Sequence, residues 1–183
     1  MYRAIIGLTP FTNFPFEIKN PSSDLVFLPF YYTEAALVLT QANTMGYKPT
    51  FFGCDGMDGI LDVENFDKSL AEGLMLLTPF AADATDEKTV SFVTAYKDKF
   101  GDTPIQFAAD AYDAAYIMKA AIEAGNLTPD MSVSDLGTGM EEQMKTLKYD
   151  GLTGSGMTWN ENGDVDKEPK AVIVKDGAYT SAD

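Results

Sequence analysis

The sequence predicts an α/β fold: an open, mostly parallel sheet flanked by helices, closing on an antiparallel C-terminal hairpin. Three observations lead there. Short apolar runs alternate with helical patterns from the N-terminus to about residue 125. One of those runs, "DLVFLPF" (24–30), is apolar on both faces, as a central parallel strand is. Residues 151–183 then switch to β-type segments broken by Asn-, Gly- and Asp-rich turns.

Each element follows in order. "RAIIGL" (residues 3–8) reads as a buried strand closed by Thr9 and Pro10. Pro10, Pro15 and Pro21 then leave little room for a long helix. "DLVFLPF" (24–30) is the next strand. Thr33 caps the helix after it, Ala35, Val38, Leu39 and Ala42 form its apolar stripe, and Gly46 ends it. "TFF" (50–52) and "GLMLLTPF" (73–80) are the following strands. Asp86 caps a helix with Phe92, Val93, Tyr96 and Phe100 on one face, stopped by Gly101. From Pro104 a long alanine-rich helix runs to Gly125 and Asn126, with Ala111, Ala114, Ala115, Met118 and Ile122 on one face. Tyr112 and Asp113 read as a pair that seats this helix. A further helix bears Met140, Met144 and Leu147, and "MTW", the turn "NENGD" and "AVIVKDGAY" make the β tail.

Composition excludes several functions. With 28 acids against 13 bases, the net charge of −15 disfavours nucleic acid or an anionic membrane as partner. Histidine is absent, which removes Ser-His-Asp and Cys-His nucleophile activation and His-based zinc sites. The single cysteine, Cys54, makes no intrachain disulfide or thiolate cluster and reads as a small buried hydrophobe. "NENGDVD" (160–166) has a superficial look of a calcium loop. Val165 stands where that loop needs glycine, so a hairpin turn is the reading. No cofactor, metal or catalysis is expected. No apolar run reaches membrane-spanning length, and "MYRAIIGLTPF" does not read as a signal peptide.

One stretch raises a functional question: "TFFGCDGMDG" (50–59). In open α/β sheets, ligands gather at the carboxyl ends of the strands. Asp55 follows one strand end, and Tyr31 and Tyr32 follow the neighbouring one. An aromatic and a carboxylate there would form half of a mixed polar and apolar pocket. Asp-Gly is ordinary turn chemistry, and the residues alone favour a turn former over a ligand contact at Asp55. Asp58 reads as capping or surface, and Tyr32 as a strand-end core aromatic. Two acids this close, without a third ligand, are a weak metal signal. "CDGMDG" also echoes a phosphoacceptor receiver, the strongest rival from another class. A receiver needs an acidic pair after its first strand, and "RAIIGL" is followed by Thr, Pro and Phe.

Four blocks in this order resemble the branched-chain amino-acid (Leu/Ile/Val-type) substrate-binding proteins of ABC transporters, a type I periplasmic binding protein family. They are "DLVFLPFYYTEAALVLTQANTMGYKPTFFGCDGMDG", "EGLMLLTPF", "FAADAYDAAYIMKAAIEAG" and "LTGSGMTWNENGDVDKEPKAVIVKDGAY". The resemblance implies one lobe of a two-lobed clamshell, with most of the first lobe absent from this chain. By that likeness residues 1–80 begin the ligand-binding lobe, 81–150 complete the other lobe, and 151–183 return as hairpin and strands. It implies roles for three residues: Tyr31 packs on the ligand, Asp55 pairs with its α-ammonium, and Phe107, otherwise as much a core residue as a pocket one, covers its side chain. It implies an aliphatic amino acid as ligand, a membrane permease as partner and work outside the cytoplasmic membrane. A non-binding remnant of the family is the alternative. Because the helices of residues 107–147 belong on a sheet this chain lacks, a homodimer through them is also expected.

Overall fold

The computed structural model describes residues 22–182. The strand expected at 3–8 and the proline-punctuated stretch lie outside them. In chain order the elements are β1 (Leu25–Leu28), α1 (Tyr32–Thr44), β2 (Thr50–Gly53), three short 3-10 turns (Asp55–Met57, Ile60–Asp62, Lys68–Ala71), β3 (Met75–Thr78), α2 (Glu87–Phe100), α3 (Gln106–Ala124), α4 (Val133–Met144), β4 (Thr158–Trp159), β5 (Val165–Asp166), β6 (Lys170–Lys175) and β7 (Ala178–Ser181). They form two compact units, residues 22–83 with 170–182, and Ala84–Pro169.

The first unit holds a five-stranded sheet in the order β1-β2-β3-β6-β7. β1, β2 and β3 run parallel, β6 pairs antiparallel with β3, and β7 pairs antiparallel with β6. This is the expected sheet, parallel first and antiparallel last. Its core joins Leu28, Leu76, Val172 and Val174 of the strands to Ala35, Val38 and Leu39 of α1 and to Met57, Ile60 and Leu61 of the turns. The stripe expected on α1 is buried throughout, and each large side chain in such a core stabilises by about 1.5–3 kcal/mol. The other sheet face is more open: Leu25, Phe27 and Leu77 are exposed, and Phe27 stacks at a tilt on Phe52 with 5.9 Å between ring centroids.

Thr33 is not the cap of α1. The extended boundary residue is Tyr31 (φ −76°, ψ 162°), whose carbonyl accepts from Ala35 N, and no side chain caps this end. Packing of the stripe draws the helix start forward, so Thr33 falls inside the first turn. Gly46, at φ 68°, follows the helix as expected.

In the second unit, Asp86 does cap α2, its carboxylate accepting from Thr89 N at 2.9 Å, and Gly101 ends the helix in the left-handed region. Thr89 and Val93 face inward. Phe92, Tyr96 and Phe100 lie along a flank, which Tyr112 and Tyr116 of α3 continue with successive centroids 4.6–6.0 Å apart. On α3 the buried positions are Gln106, Ala109, Asp113 and Ala121. Of the apolar face read from the sequence, Ala111, Ala114, Ala115 and Met118 are exposed and Ile122 is half-buried. Asp113 seats the helix as expected: it accepts from Leu152 N, Thr153 N and the Thr153 hydroxyl. The "NENGD" segment is a hairpin turn between β4 and β5. The Asn160 amide oxygen accepts from Asn162 N and Asp164 N, so its acceptor serves its own backbone.

Candidate functional site

The carboxyl ends of β1 and β2 lie side by side, with Leu28 paired to Gly53. From those ends the chain departs into two loops, one leading to Tyr31 and α1, the other to Cys54 and the 3-10 turn of Asp55–Met57. Two glycines let these loops close up. A Cβ at Gly53 would stand 2.1 Å from the Met57 sulfur, so the glycine leaves the room into which Met57 folds back beneath the strand end, where it is fully buried. A Cβ at Gly56 would stand 2.9 Å from the Phe30 carbonyl oxygen and 3.4 Å from Cδ1 of Tyr31. The acidic turn therefore rests directly on the backbone and ring of the neighbouring loop.

That contact brings two of the sequence-predicted residues together. Tyr31 is 65% exposed, and Asp55, next to Gly56, is exposed as well. An exposed acidic residue on a turn that lies against an exposed tyrosine offers an anionic acceptor and an apolar surface on neighbouring loops. Such a pair suits a ligand carrying a cationic group next to an apolar body. Tyr32 is half-buried against the core, as read from the sequence. Phe107, the third predicted residue, is the second residue of α3 in the other unit and is 37% exposed.

The residues around the turn amend the sequence reading. Asp58 is buried, 6% exposed, and is not a surface residue. The turn continues inward there, since Met57, Ile60 and Leu61 on either side are core, and Asp58 goes in with them. Cys54 is a free thiol, half-buried. Sequence reasoning missed Tyr179 of β7, whose hydroxyl accepts from Gly59 N at 3.0 Å. Burial, and then the charge of Asp58, pushes its phenol well above the usual tyrosine range. The only sequence signal for it was an aromatic just after the Asp-Gly turn of the last hairpin. Among the described residues, no three His, Cys, Asp or Glu side chains converge on a metal position. None of the described helices is long and apolar enough to cross a membrane.

Comparison with known proteins follows the same lines. The periplasmic binding protein family matches residues 6–178. A Leu/Ile/Val-binding protein homolog of Brucella abortus (strain 2308) is 25% identical over 178 residues, an alignment covering 87% of this chain and 45% of that protein. The chain thus spans less than half the length of this curated relative. Among solved structures, the leucine-binding protein LivK of Thermotoga maritima superposes with a TM-score of 0.72 at 28% identity, over 88% of this chain and 44% of that one. The branched-chain amino-acid transporter substrate-binding protein LivJ of Streptococcus pneumoniae, solved with isoleucine, has the same fold. Its TM-score is 0.72 at 23% identity, over 87% of this chain and 44% of that one.

Proposed function

The chain belongs to the periplasmic binding protein family, and we propose that it binds an aliphatic amino acid as part of the solute-binding component of an ABC transporter. One observation carries the reading: the acidic turn after β2 lies against Tyr31, which puts the Asp55 loop and an exposed aromatic ring at adjacent strand ends. The similarity to a leucine-binding protein supports the choice of ligand class. Asp55 accepts from the ligand's α-ammonium, a charge-assisted bond of about 1.5–3 kcal/mol. The Tyr31 ring covers part of the aliphatic side chain. The reading is of binding, not catalysis. Residues 81–150 are the segment that, in a complete family member, serves the other lobe, and Phe107 is the candidate ligand contact on it. A membrane permease as partner and a place outside the cytoplasmic membrane come with the same reading.

Calorimetry against leucine, isoleucine and valine tests it. Asp55→Asn is expected to weaken binding roughly tenfold to a hundredfold, the size of one charge-assisted bond, while the fold stays intact. The hydroxy-acid analogue of leucine, which lacks the ammonium, is expected to bind the unmodified protein weakly and to ignore Asp55→Asn. Unchanged leucine affinity in Asp55→Asn removes Asp55 from the site. Absence of binding to any amino acid leaves the alternative of a non-binding family remnant.

A second copy as partner rests on a separate observation, the exposed face of Ala111, Ala114, Ala115 and Met118 on α3. Small side chains permit close helix approach, and two-fold pairing is the commonest symmetric assembly. Light scattering at micromolar concentration is expected to give a mass that rises with concentration towards twice that of the chain. A constant monomer mass removes the dimer.

A further inference from the structure

The segment from Asp55 to Asp62 is two 3-10 turns in succession. Met57 N and Asp58 N donate back to Cys54 O and Asp55 O, and Asp62 N and Val63 N donate to Gly59 O and Ile60 O. The junction between them is Gly59, at φ 105°, a left-handed conformation that favours glycine. The back of the segment is core: Met57 and Ile60 are fully buried, Leu61 and Asp58 nearly so. A backbone N–H at such a junction needs an acceptor, because an orphaned buried donor costs about 1–3 kcal/mol. The acceptor comes from 120 residues away, in the last strand, as the hydroxyl of Tyr179. The same oxygen lies against the backbone of Leu61. Its ring packs on the main core cluster, and Tyr179 is paired across β6 to Val174, which is fully buried, so the hydroxyl is held on a rigid element.

We propose that Tyr179 is a positioning residue for the ligand site, its hydroxyl fixing the junction of the double turn and thereby the placement of Asp55 against Tyr31. This rests on the reading in which Asp55 holds the ligand's ammonium. The physical route is short. Met57 is pinned under Gly53 from one side and Gly59 N is pinned by Tyr179 from the other, and Asp55 opens the turn between β2 and those two anchors. Release of the second anchor frees Gly59 N–H to seek another acceptor, and the turn can then rotate about Met57. The ammonium acceptor loses its fixed place at the tip. The sheet keeps its strands, since the Tyr179 backbone pairing with Val174 does not involve the hydroxyl.

The test compares Tyr179→Phe, which keeps the ring and removes the hydroxyl, with Tyr179→Leu, which removes both. Val172→Ala serves as a control that cuts a side chain from the same core and leaves the hydrogen bond from Gly59 N to Tyr179 in place. Two readouts are taken on the whole chain: leucine affinity by calorimetry, and amide hydrogen exchange at Gly59 and Leu61 by NMR. Tyr179→Phe is expected to lose roughly tenfold in affinity, with exchange at Gly59 faster by a similar factor relative to β1 and β2. Tyr179→Leu is expected to lose at least as much, and Val172→Ala to bind leucine as the unmodified protein does. In a leucine-binding protein, either readout unchanged in Tyr179→Phe overturns the proposal, since packing alone would then account for the residue. An equal loss of affinity in Val172→Ala overturns it too. If the unmodified protein binds no amino acid, the ligand reading fails by itself and exchange decides. Acceleration spreading from Gly59 to Met57 and Asp58 supports Tyr179 as the anchor of the turn, and unchanged exchange overturns it.

Discussion

Removing the Asp113 carboxylate is expected to be among the costliest single changes in the second unit. Asp113 is 2% exposed, and it accepts from Leu152 N at 2.9 Å, Thr153 N at 2.8 Å and the Thr153 hydroxyl at 2.8 Å. In Asp113→Ala the hydroxyl can turn towards the Met157 sulfur, 3.9 Å away, but the two amides cannot move. Two orphaned buried donors at about 1–3 kcal/mol each give roughly 2–6 kcal/mol. Relief from burying a carboxylate offsets part of that, which puts the expectation at about 2–4 kcal/mol. The clamp also explains Gly151, where a Cβ would stand 2.3 Å from Asp113 Oδ2. Gly151→Ala should therefore cost about 1–3 kcal/mol in the unmodified protein. In the Asp113→Ala background the obstructing oxygen is gone and the cost should fall close to zero. Urea denaturation followed by tryptophan fluorescence measures this selectively, because Trp159 in β4 is the chain's single tryptophan and lies in the same unit. An Asp113→Ala cost below about 0.5 kcal/mol, or strict additivity of the two changes, would refute the reasoning.

Two further outcomes are expected. Gly56→Ala, which places a methyl 2.9 Å from the Phe30 carbonyl, should push the acidic turn off its neighbour, lowering leucine affinity and costing about 1–2 kcal/mol of stability by overpacking; calorimetry and urea midpoints read the two effects separately, and wild-type affinity would count against the site. Tyr179 has its phenol raised by burial, so its contribution to stability is fully present below the ordinary tyrosine value of about 10 and is lost as pH rises above it, by up to about 1.4 kcal/mol per pH unit. Urea midpoints between pH about 9 and about 11 should fall more steeply in the unmodified protein than in Tyr179→Phe, and parallel slopes would dismiss the assignment.

Much of the fold was legible because it follows local rules. The α1 stripe, the Asp86 cap and the left-handed stop at Gly101 depend on residues within a few positions of one another, and all three are present. What escaped depends on contacts distant in sequence. Thr33 looked like a cap by local preference, but the start of α1 is set by packing on the sheet and moved to Tyr31. The apolar positions of α3 gave a clear stripe, yet the inward face carries Gln106 and Asp113, because a loop some forty residues on supplies donors for a carboxylate. A hydrophobic periodicity cannot anticipate a buried acid whose partners are backbone amides elsewhere. Tyr179 escaped for the same reason, being separated from Gly59 by 120 residues.

The candidate site shows the same division among the acids. A chain with 28 acidic residues offers little reason to prefer one; the residues alone favoured Asp55 as a corner, and only the family resemblance turned it towards a ligand. Structure sorts its neighbours by what they accept. Asp86 and Asp67 serve helix and turn starts, accepting from Thr89 N and Ser69 N. Asp113 clamps a loop, and Asp150 accepts from Ser155 and Gly156, bonds that hold its carboxyl below the usual range. Asp58 is buried in the turn. Asp55 differs in place: it is exposed at the end of a parallel strand, on a turn whose glycine lies against an exposed tyrosine. Carboxylates that satisfy backbone donors should cost stability when removed, by roughly 0.5–2 kcal/mol at a cap, and leave affinity alone. Asp55→Asn keeps a side-chain oxygen for local donors and should show the reverse pattern, affinity lost with stability kept. That crossing of two measurements, more than either one alone, separates a binding acid from a turn former.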